Sequence, residues 1–161
     1  MKFLAAPWRW KFISGQAGGK GGCIFCQALA NDDDEASLVC HRGRSFFVLL
    51  NRYPYNSGHL MVAPCAHLAS PEEMAASDLG EMWELAQRSL AVLRQCFGPE
   101  GFNIGMNLGR AAGAGIRDHF HLHVVPRWQG DANFMAVSGG TRVLSYDLAA
   151  VHGAVRDAFR R

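Results

Sequence analysis

His119-Phe120-His121-Leu122-His123-Val124-Val125 decides the reading of this chain. Histidines alternate with bulky apolar residues, the period of a β-strand, where side chains repeat on one face every second position. The spacing predicts a strand over His119–Val125, with three imidazoles on one face and Phe120, Leu122 and Val124 on the other. Histidine is polar enough to need partners when buried. Three in register point to a site that handles phosphate, metal or protons. The plainer alternative is the solvent-facing side of a sheet.

The residues leading into this run are unusually small. Gly109-Arg110-Ala111-Ala112-Gly113-Ala114-Gly115 carries almost no bulk. Such a loop admits a ligand close to the backbone, and its N–H groups can cradle phosphate oxygens. It leads into a strand and lacks the Gly-Lys-Ser/Thr of a Walker loop, so it matches neither that pattern nor a dinucleotide fingerprint. Beside aligned histidines, it predicts a phosphate held next to an imidazole. A neutral imidazole is a nucleophile toward phosphorus if its other ring nitrogen is anchored. Neighbouring imidazole N–H groups would stabilise charge on the non-bridging oxygens.

Working outward, the apolar run Phe46–Leu50 sits in a predicted strand over Ser45–Leu50, after a strand over Ser37–Cys40 and a turn at Arg42-Gly43. The acidic stretch Asn31–Glu35 reads as a solvated turn. A third strand covers His59–Ala63 and a fourth Phe102–Asn107. Ser70-Pro71-Glu72-Glu73 is a helix start, with Ser70 and Glu73 as a capping box. A long helix follows over Asp78–Phe97. Leu79, Met82, Trp83, Ala86, Leu90, Leu93 and Phe97 form its apolar stripe, which places Trp83 in the core. Gly98-Pro99 stops it. A last helix covers Asp147–Arg161, with His152 expected in solvent, as is His41. This order predicts an α+β domain over residues 21–161, its antiparallel sheet covered by the long helix and the C-terminal helix. Residues 1–20 read as an N-terminal arm.

The chain has 161 residues, 49 % of them apolar and 19 % charged, with a net charge of +2. That charge is too small to argue for nucleic acid or a membrane surface, and no apolar stretch is long enough to span a bilayer. The first residues lack the apolar centre of a secretory signal, so the expected location is the cytoplasm. Five cysteines (Cys23, Cys26, Cys40, Cys65, Cys96) argue against a secreted disulfide framework. Cys23-Ile24-Phe25-Cys26 can be redox-active, half of a metal site, or coincidence. Without a surrounding thioredoxin-like unit, redox catalysis is the weaker reading. Cys40 and Cys96 read as inert core thiols.

The histidine run, together with Ser57-Gly58-His59-Leu60-Met61-Val62-Ala63-Pro64, resembles the signature blocks of the histidine-triad family of nucleotide hydrolases and transferases. Roughly residues 5 to 160 resemble its bacterial branch related to diadenosine tetraphosphate phosphorylases. That finer match is carried by Ala6-Pro7-Trp8-Arg9, Asn51-Arg52-Tyr53-Pro54-Tyr55-Asn56, Gly109 to Ile116 and Pro126-Arg127-Trp128. The resemblance implies the family's fold, with His121 as the nucleophile that becomes nucleotidylated. It places His123 beside the α-phosphate and His59 on a phosphate oxygen from across the site. Asn51 would hold the ribose, where the family often has an acidic residue. Asn107, with Gly113, Ala114 and Gly115, would lie near the phosphates, and Trp128 is a candidate base platform.

Many members carry Gly-Gln-Ser/Thr before the triad, where this chain has Ala114-Gly115-Ile116. The loss of polar side chains argues against plain hydrolysis and leaves room for inorganic phosphate as second nucleophile. The implied activity is phosphorolysis of dinucleoside polyphosphates. Hydrolysis of the same substrates or of a phosphoramidate is the enzymatic alternative, and a zinc-stabilised nucleotide-binding module the non-catalytic one. Zinc-bearing relatives imply a structural zinc on Cys23, Cys26, His67 and His119, with Cys65 as a possible substitute ligand. A homodimer is expected from resemblance alone.

Overall fold

The structure is a computed structural model and describes residues 22–131 and 147–161. The N-terminal arm expected over residues 1–20 lies outside the described residues. The elements run α1 (Ile24–Ala30), α2 (Asp34–Ser37), β1 (Val39–Arg42), β2 (Phe46–Leu50), β3 (Leu60–Pro64), a 3₁₀ turn (Pro71–Glu73), α3 (Ala76–Phe97), β4 (Gly101–Met106), β5 (Leu122–Arg127) and α4 (Leu148–Phe159). The five strands form one antiparallel sheet in the order β1-β2-β3-β5-β4.

β2 shows why the sheet is central. All five of its residues are buried, and they divide by parity. Phe46, Val48 and Leu50 pack under α3 and α4 with Leu60, Val62, Phe120, Leu122 and Val124. Phe47 and Leu49 face the other way, onto Phe25 and Ala28 of α1 with Met61 and Ala63. One side of the sheet thus carries two helices, and the other carries short α1 and the candidate site.

Seven residues are too few to hold a helix in water. α1 is held by its neighbours. Phe25 is fully buried against the sheet. At the C-terminal end, the Arg42 guanidinium donates to the carbonyls of Leu29 (2.7 Å) and Asn31 (2.6 Å) and to Asp34 Oδ1 (2.9 Å). This satisfies carbonyls that a helix end leaves open.

Several expectations change. The acidic stretch is no simple turn: Asp33 Oδ1 accepts from the N–H groups of Glu35 and Ala36, both at 3.0 Å, and caps α2. The capping box at Ser70 and Glu73 starts only a 3₁₀ turn, and the long helix begins at Ala76. Its buried residues are Met82, Leu85, Ala86, Ser89, Val92 and Leu93. Trp83 is 57 % exposed, because the stripe is rotated from the expected one. Ser89 tolerates the core by donating its hydroxyl to the Leu85 carbonyl at 2.7 Å. His152 is also reversed: it is 1 % exposed and its Nε2–H donates to the Val39 carbonyl at 2.8 Å. His41 is half-buried and stacks on Phe159 at 5.3 Å. Cys40 is buried, and burial pushes its thiol up to about 12; Cys96 is only partly buried.

Candidate active site

The strand predicted over His119–Val125 begins at Leu122. Side-chain and loop bonds replace the ladder before it. His119 Nε2–H donates to the Pro64 carbonyl at 2.8 Å, and the Phe120 N–H donates to the Leu68 carbonyl at 2.7 Å. The alternation survives in this extended approach. Phe120, Leu122 and Val124 enter the helix-side core, while Phe25 lies against the rings of both His119 (5.0 Å) and His121 (4.8 Å) on the opposite side.

His121 is 5 % exposed. Its Nδ1 lies 3.1 Å from the His119 carbonyl, so Nδ1 carries the proton and donates it. In the neutral ring Nε2 is then the lone-pair nitrogen. Burial lowers the pKa of His121, opposed by that carbonyl, which favours the neutral form. The ring of His123 sits 4.7 Å away and nearly perpendicular.

His59 departs from expectation. It is fully buried and both its ring nitrogens are engaged by protein groups. The Tyr55 N–H donates to Nδ1 at 3.1 Å, which makes Nε2 the protonated nitrogen, and Nε2 lies 2.9 Å from His123 Nδ1. His123 therefore accepts at Nδ1 and carries its own proton on Nε2. Tyr55 stacks on His59 at 4.8 Å. Burial, followed by the neighbouring imidazoles of His123 and His121, holds the pKa of His59 well below its usual value. In this geometry His59 bonds His123, and it is not among the residues that line the adjoining cavity.

His121 and His123 line a cavity of about 880 Å³ with Asn51, Asn107, Gly115 and Ile116. Its far wall is α1 and α2, through Ile24, Phe25, Gln27, Ala28 and Ser37, and its rim carries Arg52, Tyr53 and Tyr55. Gly113, Ala114 and Trp128 do not line it. The N–H groups of Gly113 and Ala114 bond to the carbonyls of Arg110 (3.0 Å) and Gly109 (3.3 Å), so this part of the loop closes on itself. The sequence reading gave neither Phe25 nor Tyr55 a role at the site, and Tyr55 entered it only within the Asn51–Asn56 block; Cys23–Ala30 was legible as a short helix, observed over Ile24–Ala30, but not as a wall of the cavity. Phe25 was legible only as part of the Cys-x-x-Cys segment.

At the N-terminal end of α1, Cys23, Cys26, His67 and His119 bring one ligand atom each within 4.8 Å of one another, a set that could hold a metal ion. Cys23 Sγ lies 3.3 Å from His119 Nδ1, and Cys26 Sγ lies 3.3 Å from His67 Nδ1 and 3.7 Å from His119 Nδ1. The Pro64 carbonyl occupies His119 Nε2–H, which leaves Nδ1 for the metal. Cys65 is not part of this cluster.

Fold and geometry agree with the comparisons. A family model of the HIT domain matches residues 33–130, and the chain belongs to that family. It is 43 % identical over 111 residues to the AP-4-A phosphorylase of Mycobacterium tuberculosis, covering 69 % of this chain and 57 % of that protein, so it matches little more than half of that relative's length. It is 33 % identical over 109 residues to an uncharacterized HIT-like protein of Methanocaldococcus jannaschii, covering 68 % of this chain and 81 % of that one. Among solved structures, a Zn-bound histidine triad family protein from Mycobacterium smegmatis superposes with a TM-score of 0.70 at 26 % identity, covering 88 % of this chain and 96 % of that one. Among the described residues no helix is long and apolar enough to cross a membrane.

Proposed function

We propose that this chain is a phosphorylase of dinucleoside polyphosphates such as diadenosine tetraphosphate, acting through a nucleotidyl group on His121. The observation that carries this reading is the anchored His121 ring, whose Nδ1–H is spent on the His119 carbonyl so that Nε2 is the nitrogen left to attack. The 43 % identity to an AP-4-A phosphorylase supports the substrate class. One nucleoside would occupy the cavity under α1, with Asn51 toward the ribose and Asn107 and Gly115 toward the phosphates. His121 Nε2 then bonds to the phosphorus as the phosphoanhydride P–O bond breaks. His123, which carries its proton on Nε2, would donate to a non-bridging oxygen. Inorganic phosphate cleaves the P–N bond and restores His121.

The four-residue cluster fits zinc. A tetrahedral zinc with Zn–S of about 2.3 Å and Zn–N of about 2.0 Å spaces sulfur and nitrogen ligands by about 3.5 Å. The observed sulfur-to-nitrogen separations of 3.3, 3.3 and 3.7 Å match. Zinc there would be structural, joining α1 to the loop after β3 and to the histidine run.

The test is turnover of diadenosine tetraphosphate at varied phosphate. The expected result is phosphate-dependent formation of a nucleoside triphosphate and a nucleoside diphosphate, abolished in His121→Asn. Turnover indifferent to phosphate refutes phosphorolysis, and turnover intact in His121→Asn refutes the covalent mechanism.

A further inference from the structure

Phe25 stands between the two cysteines of the candidate metal cluster, and it is 0 % exposed. Its ring packs against the sheet with Val39, Phe47, Leu49, Met61 and Ala63. The flanking Cys23 and Cys26 reach His119 and His67, both at 3.3 Å, so the segment that carries Phe25 is pinned at its two ends. The same ring also meets two imidazoles of the histidine run. It lies 5.0 Å from His119 at a tilt of 45°, and 4.8 Å from His121 at a tilt of 42°.

The bond from His121 Nδ1–H to the His119 carbonyl fixes one point of the imidazole. A single hydrogen bond leaves the tilt of the ring about that point open. Packing must supply the rest, and here it comes from two planes at different angles. Phe25 lies at 42° and His123 at 79°, with centroids 4.8 and 4.7 Å away. Tilted and edge-on contacts at such spacings are the favoured arrangements of aromatic rings. Phe25 also rests on His119, the residue whose carbonyl is the anchor. One side chain thus braces both the ring and the residue that supplies its acceptor.

An aromatic residue on the wall of a nucleotide-sized cavity is ordinarily a surface for the ligand. Exposure separates Phe25 from that role. Its neighbour Ile24, on the same wall, is 42 % exposed, whereas Phe25 is 0 % exposed. Phe25 has no free face to offer a nucleotide, because its surface is spent on the sheet and on the imidazoles. We infer that Phe25 is a positioning residue: it sets the tilt of the His121 ring, and so the line along which Nε2 meets phosphorus. The inference rests on His121 being the nucleophile. Attack needs the nitrogen lone pair aimed at the phosphorus, and a misplacement of about 1 Å costs about 100-fold in rate. Packing that locks the rotamer of a reacting side chain is what prevents such a loss.

Two variants and one measurement on the parent chain test this. Phe25→Leu keeps apolar bulk and removes the flat ring, and Phe25→Tyr keeps the ring. Each is mixed with diadenosine tetraphosphate without phosphate, and the single-turnover rate of nucleotidyl-His121 formation is set against the Kd for AMP. Phe25→Leu should lower the rate by about tenfold or more while the Kd stays within about threefold of the parent's, and Phe25→Tyr should restore most of the rate. In the parent chain, nuclear Overhauser contacts should join the Phe25 ring protons to those of His121, a readout that stands even if a variant fails to fold. A raised Kd with the rate retained in Phe25→Leu makes Phe25 a nucleotide surface and overturns the inference. Equal loss of rate in both variants, or absence of the Overhauser contacts, overturns it as well. A parent chain that forms no nucleotidyl-His121 refutes the covalent reading and this inference with it, whereas parental rates in Phe25→Leu refute the role of Phe25 alone.

Discussion

Replacing His59 with phenylalanine separates a residue that positions from one that touches substrate. The ring shape and the stack on Tyr55, at 4.8 Å, are retained. Three polar contacts go: the acceptor for the Tyr55 N–H at 3.1 Å and for the Asn51 amide NH₂ at 3.4 Å, and the donor to His123 Nδ1 at 2.9 Å. A buried group that loses its partner costs about 1–3 kcal/mol. Some of this is offset by the better burial of phenylalanine, and the losses together give a net destabilisation of about 2–4 kcal/mol. Loss of the partner that orients an active-site imidazole costs about 10- to 100-fold in rate. Urea unfolding reads the first quantity, and single-turnover formation of nucleotidyl-His121 reads the second. If His59→Phe instead raises KM while unfolding free energy stays within about 0.5 kcal/mol, below the loss of even one such bond, then His59 contacts phosphate and the buried pairing is wrong.

Burial holds His59 neutral in the folded chain, whereas the unfolded side chain binds a proton near pH 6.5. Stability is therefore full above that pH and falls as the pH drops below it, by up to about 1.4 kcal/mol per pH unit from this group. Urea titrations from pH 8 to 5 check the slope, and His59→Phe should flatten it. Cys26→Ser removes one ligand of the cluster at the start of α1. Metal analysis should show less zinc bound than in the parent chain, and amide exchange over residues 24–30 should quicken. Gly43→Ala places a Cβ 2.3 Å from Glu81 Oε1 and 2.7 Å from the Phe46 carbonyl. Glu81 would be pushed off the N–H groups of Arg44 and Ser45, now at 2.7 and 2.8 Å. Thermal unfolding should show a loss of about 1–3 kcal/mol.

Much of the sheet was legible because its signal is local. The two-residue period around Leu122 and the apolar run at Phe46 set strand identity and facing. The helix expected over Asp147–Arg161 is observed over Leu148–Phe159, where Asp147 Oδ1 accepts from the Ala149 N–H at 2.9 Å. The missing parts depend on partners distant in sequence. Trp83 fell on the wrong side because the helix's rotation is set by what α3 packs against. Ser89 shows that a polar residue can take a core position through a local bond. His152 looked like a surface group because its acceptor, Val39, is 113 residues away.

The residue types alone determined that histidines stand in register on one face of a strand, and that Cys23 and Cys26 were available as half of a metal site; His67 and His119 as their partners were implied only by the family resemblance. Only the tertiary structure decided what each imidazole is bonded to. His119, His121 and His123 share a spacing, yet one turns to the cysteines, one is anchored on a carbonyl, and one is held by His59. The role of an imidazole depends on which of its nitrogens is already bonded, and the bonding groups (Pro64, His119 itself and His59) come together only when β3 lies beside β5.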